Sequence, residues 1–131
     1  MNLEIDTLVS EQIMGESIST SEGHPVKWVN VPELGQIDLP IPSYSSDMEA
    51  AWKVWEVLAK SNKYKDINLS HPKEEGYKVS LVNAEDCDTC KEIVASHPRP
   101  ELAICCAALA GAGICSAVLE HLCKDLYLEI Y

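Results

Sequence analysis

SSDMEAAWKVWEVLAK, residues 45–60, carries the clearest structural signal in the chain. Ser45, Ser46 and Asp47 are all N-cap residue types, and Glu49 falls in the first turn that would follow. Met48, Ala51, Trp52, Trp55, Leu58 and Ala59 then recur at helical spacing, and Val54 and Val57 widen the apolar arc. The polar remainder is the line Glu49, Lys53, Glu56, Lys60. Glu49–Lys53 and Glu56–Lys60 are i,i+4 pairs with the acid N-terminal, the favourable order. So apolar a helix is expected to be covered on most of its girth, with Trp52 and Trp55 in the core.

Upstream, residues 2–14 read as a short helix with Ile5, Leu8, Val9 and Ile13 on its apolar face, and Gly15 suits its C-terminal stop. Glu16–Pro25 reads as polar turn. Val26–Val31 is an expected strand, and Leu34–Ser43, with Pro40 and Pro42, an extended edge segment. Downstream, Ser61–Gly76 reads as a loop. Tyr77–Val82 alternates as a strand with Tyr77, Val79 and Leu81 inward, and Lys91–Ser96 is a second strand, antiparallel to it. Pro98 and Pro100 precede a helical region, LAICCAALAGAGICSAVL at 102–119, where Gly111 and Gly113 divide the run or permit close packing. Glu120–Tyr131 returns to an amphipathic pattern.

A length of 131 residues fits one domain, and 47% hydrophobic residues make it globular. The formal net charge of −11 argues against a general grip on nucleic acid and leaves a basic protein surface as a partner. The N-terminal MNLEIDTLVSEQIMG has acids where a signal peptide is basic, so export is not expected. Residues 102–119 fall short of the roughly 20 apolar residues of a membrane span. Six cysteines in such a chain are expected as reduced thiols.

Three segments, IDTLVSEQIMG (5–15), IPSYSSDMEAAWKVWEVL (41–58) and RPELAICCAALAG (99–111), resemble in order and spacing the phage ABA sandwich domain family of small bacteriophage and prophage proteins. The resemblance spans about residues 1–111. It implies an α+β fold, an α/β sandwich with a small antiparallel sheet between helical layers. It brings no general enzymatic activity, no catalytic residues and no cofactor. Residues 112–131 then form a helical C-terminal extension within a single 1–131 domain, and the acidic Cys87-Asp88-Thr89-Cys90 connector is a second departure.

Cys87-x-x-Cys90 is the one metal-like spacing. It is half a zinc site, and the flanking Asp86 and Asp88 work against a nucleophilic thiolate. Arg99, the lone arginine, stands beside a helix start where a phosphate or carboxylate binds. Trp28, Tyr44 and Tyr64 at element ends, with Lys65, Lys27 and Lys63, are the candidate lining of a ligand pocket. Ala103, Ala107, Ala110, Gly111 and Ile114 form a small-residue stripe expected to meet a second subunit. The three His-Pro pairs read as turn punctuation. AGAG at 110–113 lacks the lysine and hydroxyl of a phosphate loop.

These features point to stoichiometric binding and away from catalysis. The expected form is a homo-oligomeric, cytoplasmic counter-defence protein of an infected bacterium, which captures a nucleotide-derived host signal or occludes a host protein. A zinc- or thiol-dependent module at Cys87 and Cys90, or an uncharacterised enzyme, is the alternative.

Overall fold

The computed structural model describes residues 3–21, 23–71, 76–83 and 92–130. Helix α1, Leu3–Leu8, runs on into a π-helical turn, Val9–Ile13, in which the Met14 N–H reaches back to the Val9 carbonyl at 3.0 Å. Gly15 ends it at φ +68°, the left-handed conformation its position called for. Ile5 and Val9 are fully buried, and Leu8 and Ile13 pack against the same core.

Glu16–Pro25 is not all turn. Strand β1, Ser17–Ser21, pairs antiparallel with β2, His24–Val31, which pairs in turn with β3, Gly35–Pro40. Ser-Ile-Ser-Thr-Ser holds one apolar side chain, so no alternation marked it as a strand. The edge placement expected of the Pro40 segment is observed, with sheet order β1-β2-β3.

Helix α2, Met48–Lys60, starts at Asp47, whose carboxylate accepts the Glu49 N–H at 3.0 Å. The expectation that it is covered on most of its girth does not hold. Ala50, Ala51, Val54 and Leu58 form the buried face, while Trp52 is 43% exposed and Val57 and Ala59 also face out. The reason is steric: α2 lies against another helix, and alanine admits the close approach that tryptophan would block. Trp52 and Trp55 instead meet edge to face at 5.9 Å on the flank.

The stretch read as a loop from Ser61 contains strand β4, Tyr64–Ser70. It leads a four-stranded antiparallel sheet of order β4-β5-β6-β7, with β5 at Tyr77–Asn83 and β6 at Glu92–His97 paired as expected. Helix α3, Pro100–Gly111, has Pro100 in its first turn, where a missing N–H costs nothing. The chain breaks at 112–115, and α4, Ser116–Leu122, follows. The helical C-terminal extension is therefore only partly helical: residues Tyr127–Ile130 form β7, which pairs with β6 at the sheet edge. Tyr-Leu-Glu-Ile alternates with period two, and that local pattern outweighs the helical periodicity before it.

All four helices feed one core with Val79 and Leu81 of β5 and Ile93 and Ala95 of β6. Architecture and class are those expected, an α+β sandwich of helices and antiparallel sheets. The small-residue stripe is covered within the chain itself. Ala103, Ala107 and Ala110 are buried within the chain, and Ile114 packs against the same core. A Cβ on Gly111 would meet the Tyr64 hydroxyl, so a larger residue there would have to displace the end of the Tyr64 side chain. Ala107→Leu is accordingly expected to lower stability by about 1–3 kcal/mol through overpacking, without altering oligomeric state. Urea denaturation alongside light scattering checks both.

Candidate functional site

The residues expected to line a pocket do not converge. Tyr44 is buried, and its hydroxyl donates to Glu16 Oε1 at 2.9 Å. Arg99 caps α3, its backbone N–H donates to His97 Nδ1 at 2.9 Å, and its guanidinium faces Glu101 (3.7 Å) and the Ser46 carbonyl (3.5 Å). Tyr64 and Lys65 lie at the far end of α3, about 18 Å along its axis from Arg99. Trp28 is half-exposed on β2, in the other sheet. Lys27 pairs with Glu16 Oε2 at 2.8 Å, and Lys63 donates to the Gly111 carbonyl at the C-terminus of α3. Cys87 and Cys90 lie outside the described residues. Among the described residues, no group of three His, Cys, Asp or Glu is placed to hold a metal.

What the fold does assemble is a second face. In the four-stranded sheet, residues alternate between the helix side and the opposite side. Val79, Leu81, Ile93 and Ala95 take the helix side. Register then aligns Asn68, Ser80, Val94 and Glu129 in one outward row, and Ser70, Lys78, Ser96 and Tyr127 in the next. Val94 is only 6% exposed yet stands outside the helix-side core. Lys78, Ser96, Tyr127 and Glu129 lean around it and bound a cavity of about 510 Å³. Ser80 donates to Glu92 Oε1 at 2.6 Å on the same side. Tyr127, 65% exposed, rims the cavity. The cavity thus sets an aromatic rim over a valine floor, with one cation, one carboxylate and the Ser96 hydroxyl around it. Sequence reading missed it because β4 and β7 were not seen as strands, and the two outer rows exist only once they pair.

The polar groups inside the fold are joints. Ser10 donates to Glu16 Oε1 at 2.6 Å, so Glu16 ties the π-helical turn, Lys27 on β2 and Tyr44 together. Burial pushes the Glu16 carboxyl up, but Lys27, Ser10 and Tyr44 together outweigh it and hold it below the usual range. Asp6 goes the other way. Burial raises its pKa more than Ser45 lowers it, although the Ser45 N–H donates to Oδ1 at 2.7 Å, and Oδ2 has no hydrogen-bond partner. His97, expected to be turn punctuation, ends β6 and is buried. Its Nδ1 accepts from Arg99, so Nε2 carries the proton donated to the Lys124 carbonyl at 2.8 Å. Burial pushes the Cys105 thiol up, and its Sγ contacts the Tyr44 carbonyl at 3.3 Å. A hydrogen bond to Cys123, together with burial, pushes Cys106 up. Both are buried in the core, where a raised thiol packs as a small apolar side chain.

Two outcomes follow. A raised Asp6 favours the folded state at acid pH, and that contribution is lost as pH rises through the raised folded value. A lowered Glu16 contributes above the unfolded carboxylate value, and is lost as pH falls through the lowered folded value. Urea melts from acid to neutral pH should show Asp6→Asn gaining on the parent as pH rises, and Glu16→Gln losing ground over the same range. Among the cysteines of the described residues, native-state alkylation with peptide mapping should modify exposed Cys115 first and leave Cys105 and Cys106 unmodified until unfolding.

A family model described as Phage ABA sandwich domain matches residues 7–109, well over half of the chain. No curated protein and no solved structure matches it. Among the described residues, no helix is long and apolar enough to cross a membrane.

Proposed function

The chain belongs to the phage ABA sandwich domain family, and from that premise we propose that it acts by stoichiometric capture, without turnover, as a cytoplasmic counter-defence protein that occludes a host protein. The observation that carries this reading is the outward face of the four-stranded sheet. A half-wet antiparallel sheet needs only polar side chains on its solvent side. This one adds a shielded valine and a protruding tyrosine, framed by Glu92 and Glu129. Aromatic anchors ringed by charge are the usual anatomy of a protein contact. The acid excess, within a chain of net charge −11, suits a basic partner surface.

The cavity over Val94 supports a second reading, capture of a nucleotide-derived signal. Its weakness is cationic supply. Lys27, Lys63 and Arg99 are engaged within the fold, which leaves Lys78 as the cation at the cavity. Poised catalytic chemistry has little support in the described residues, where the buried thiols of Cys105 and Cys106 are held protonated.

Capture of host protein from bacterial lysate by the immobilised full chain is expected at low salt and is expected to weaken as salt rises. Glu92→Lys should weaken it by about tenfold or more, because it reverses a charge on the contact face. Calorimetry with cyclic nucleotides and ADP-ribose derivatives is expected to give no heat. Heat with any of these, with no protein retained, would replace the first reading by the second. Conversion of a bound compound would overturn both.

A further inference from the structure

We infer that a second copy of this chain docks edge to edge along β7, extending the four-stranded sheet through a two-fold axis. The four strand edges differ in how they are protected. Natural sheets blunt exposed edges with bulges, charges or proline. β4 carries a register shift between Tyr64 and Asp66, with Lys65 exposed at that point. β3 ends in Pro40 and carries Asp38, and β1 holds one apolar residue. β7 has no proline, lysine or bulge and one charge, Glu129, and among the described residues no strand pairs with its edge beyond β6.

Exposed apolar side chains occur around the fold, Leu34 and Trp52 among them, and three of them fall beside this edge in the sequence. Val118 (47%), Tyr127 (65%) and Ile130 (48%) all belong to the α4–β7 region. Four residues of strand pairing alone are too little for a stable contact, and these side chains supply the further area that a dimer needs.

Side-chain parity and charge select the occupant and its register. In an antiparallel pair, opposed residues share a face, and Leu128 lies on the helix side while Tyr127 and Glu129 lie outward. A two-fold axis beside β7 must therefore pass through a residue position. An axis at Glu129 would set two carboxylates against each other, which is unfavourable. An axis at Leu128 sets Tyr127 against Glu129 of the second copy, twice, with leucine against leucine on the helix side. This strand is complementary to itself in that register. Tyr127 of the second copy then walls the open side of the cavity lined by Lys78, Val94 and Ser96, so each cavity is completed by both chains.

The pairing itself does not depend on what the outer face binds, and it is measured without any ligand. Sedimentation equilibrium of the full chain over a wide concentration range is expected to show a reversible monomer–dimer exchange. Tyr127→Glu places like charges opposite one another at two symmetric positions and should weaken the dimer by about tenfold. Adding Glu129→Lys to that variant converts both repulsions to attractions and should restore the affinity. Far-UV circular dichroism is expected to be the same for all three chains. A parent chain that stays monomeric throughout overturns the inference. So does a dimer indifferent to Tyr127→Glu, or a double variant as weak as the single one.

Discussion

A helix that must lie within touching distance of several neighbours has to give up its side-chain bulk, and α3 does so. Ala103 to Ala110 are eight consecutive buried residues, four of them Ala and two Cys, in a run without a charge. No face of α3 is left for water, so it has to be enclosed on every side. The sheet, α2, α4 and the N-terminal helix enclose it, all within one core. Small side chains bury little area each, so cohesion depends on the density of packing that their size permits. Cys105 and Cys106 serve there as alanine-like fillers with slightly greater volume. Gly111 closes the helix where the tip of the Tyr64 side chain lies against it.

The three-stranded sheet has little of this apolar cohesion. No residue of β2 or β3 is fully buried. What holds it to the rest is polar, and it converges on Glu16, which pairs with Lys27 of β2 and accepts hydrogen bonds from Ser10 and Tyr44. A charged group with three partners recovers what its burial costs. Asp6 recovers less, since one of its oxygens is buried without a hydrogen-bond partner while the other fixes the Ser45 backbone ahead of α2. That anchored turn carries Asp47 into its capping position, so an unfavourable group in α1 helps set where α2 begins.

These joints were not legible in the sequence, and the reason is physical. Periodicity reports which residues share a face, and it located α1, α2, α3, β2, β5 and β6 because their apolar residues repeat. It is silent where a strand is polar, as in Ser-Ile-Ser-Thr-Ser, and the period-two alternation of Tyr-Leu-Glu-Ile is too short to stand out against the helical pattern before it. It also overstated the coverage of α2, because apolar residues at helical spacing mark an arc without saying which part a neighbour reaches. Ala50 and Ala51 went inward, and Trp52 did not. The pocket expected from Trp28, Tyr44, Tyr64, Lys65 and Arg99 failed for a related reason. Loop aromatics and cations are site-like residue types, but proximity is a product of topology, and α3 alone separates Arg99 from Tyr64.

The outward sheet face shows the converse. Lys78, Val94, Ser96, Tyr127 and Glu129 are ordinary residues one at a time, and only the β5-β6-β7 register makes them neighbours. Its two halves are not equivalent. Toward β4 the outward residues are Asp66, Asn68 and Ser70, small and polar, as contact with water alone requires. Toward β7 they are a lysine, a nearly buried valine, a carboxylate and an exposed tyrosine. Solvation does not account for an apolar floor beneath an aromatic rim, since both are better satisfied by contact. The His97–Lys124 hydrogen bond fixes the turn that brings β7 to the sheet edge. The same turn therefore delivers both the strand with the open edge and the tyrosine at the cavity rim, which makes the C-terminal segment beyond the family match the part of the chain that creates its most site-like surface.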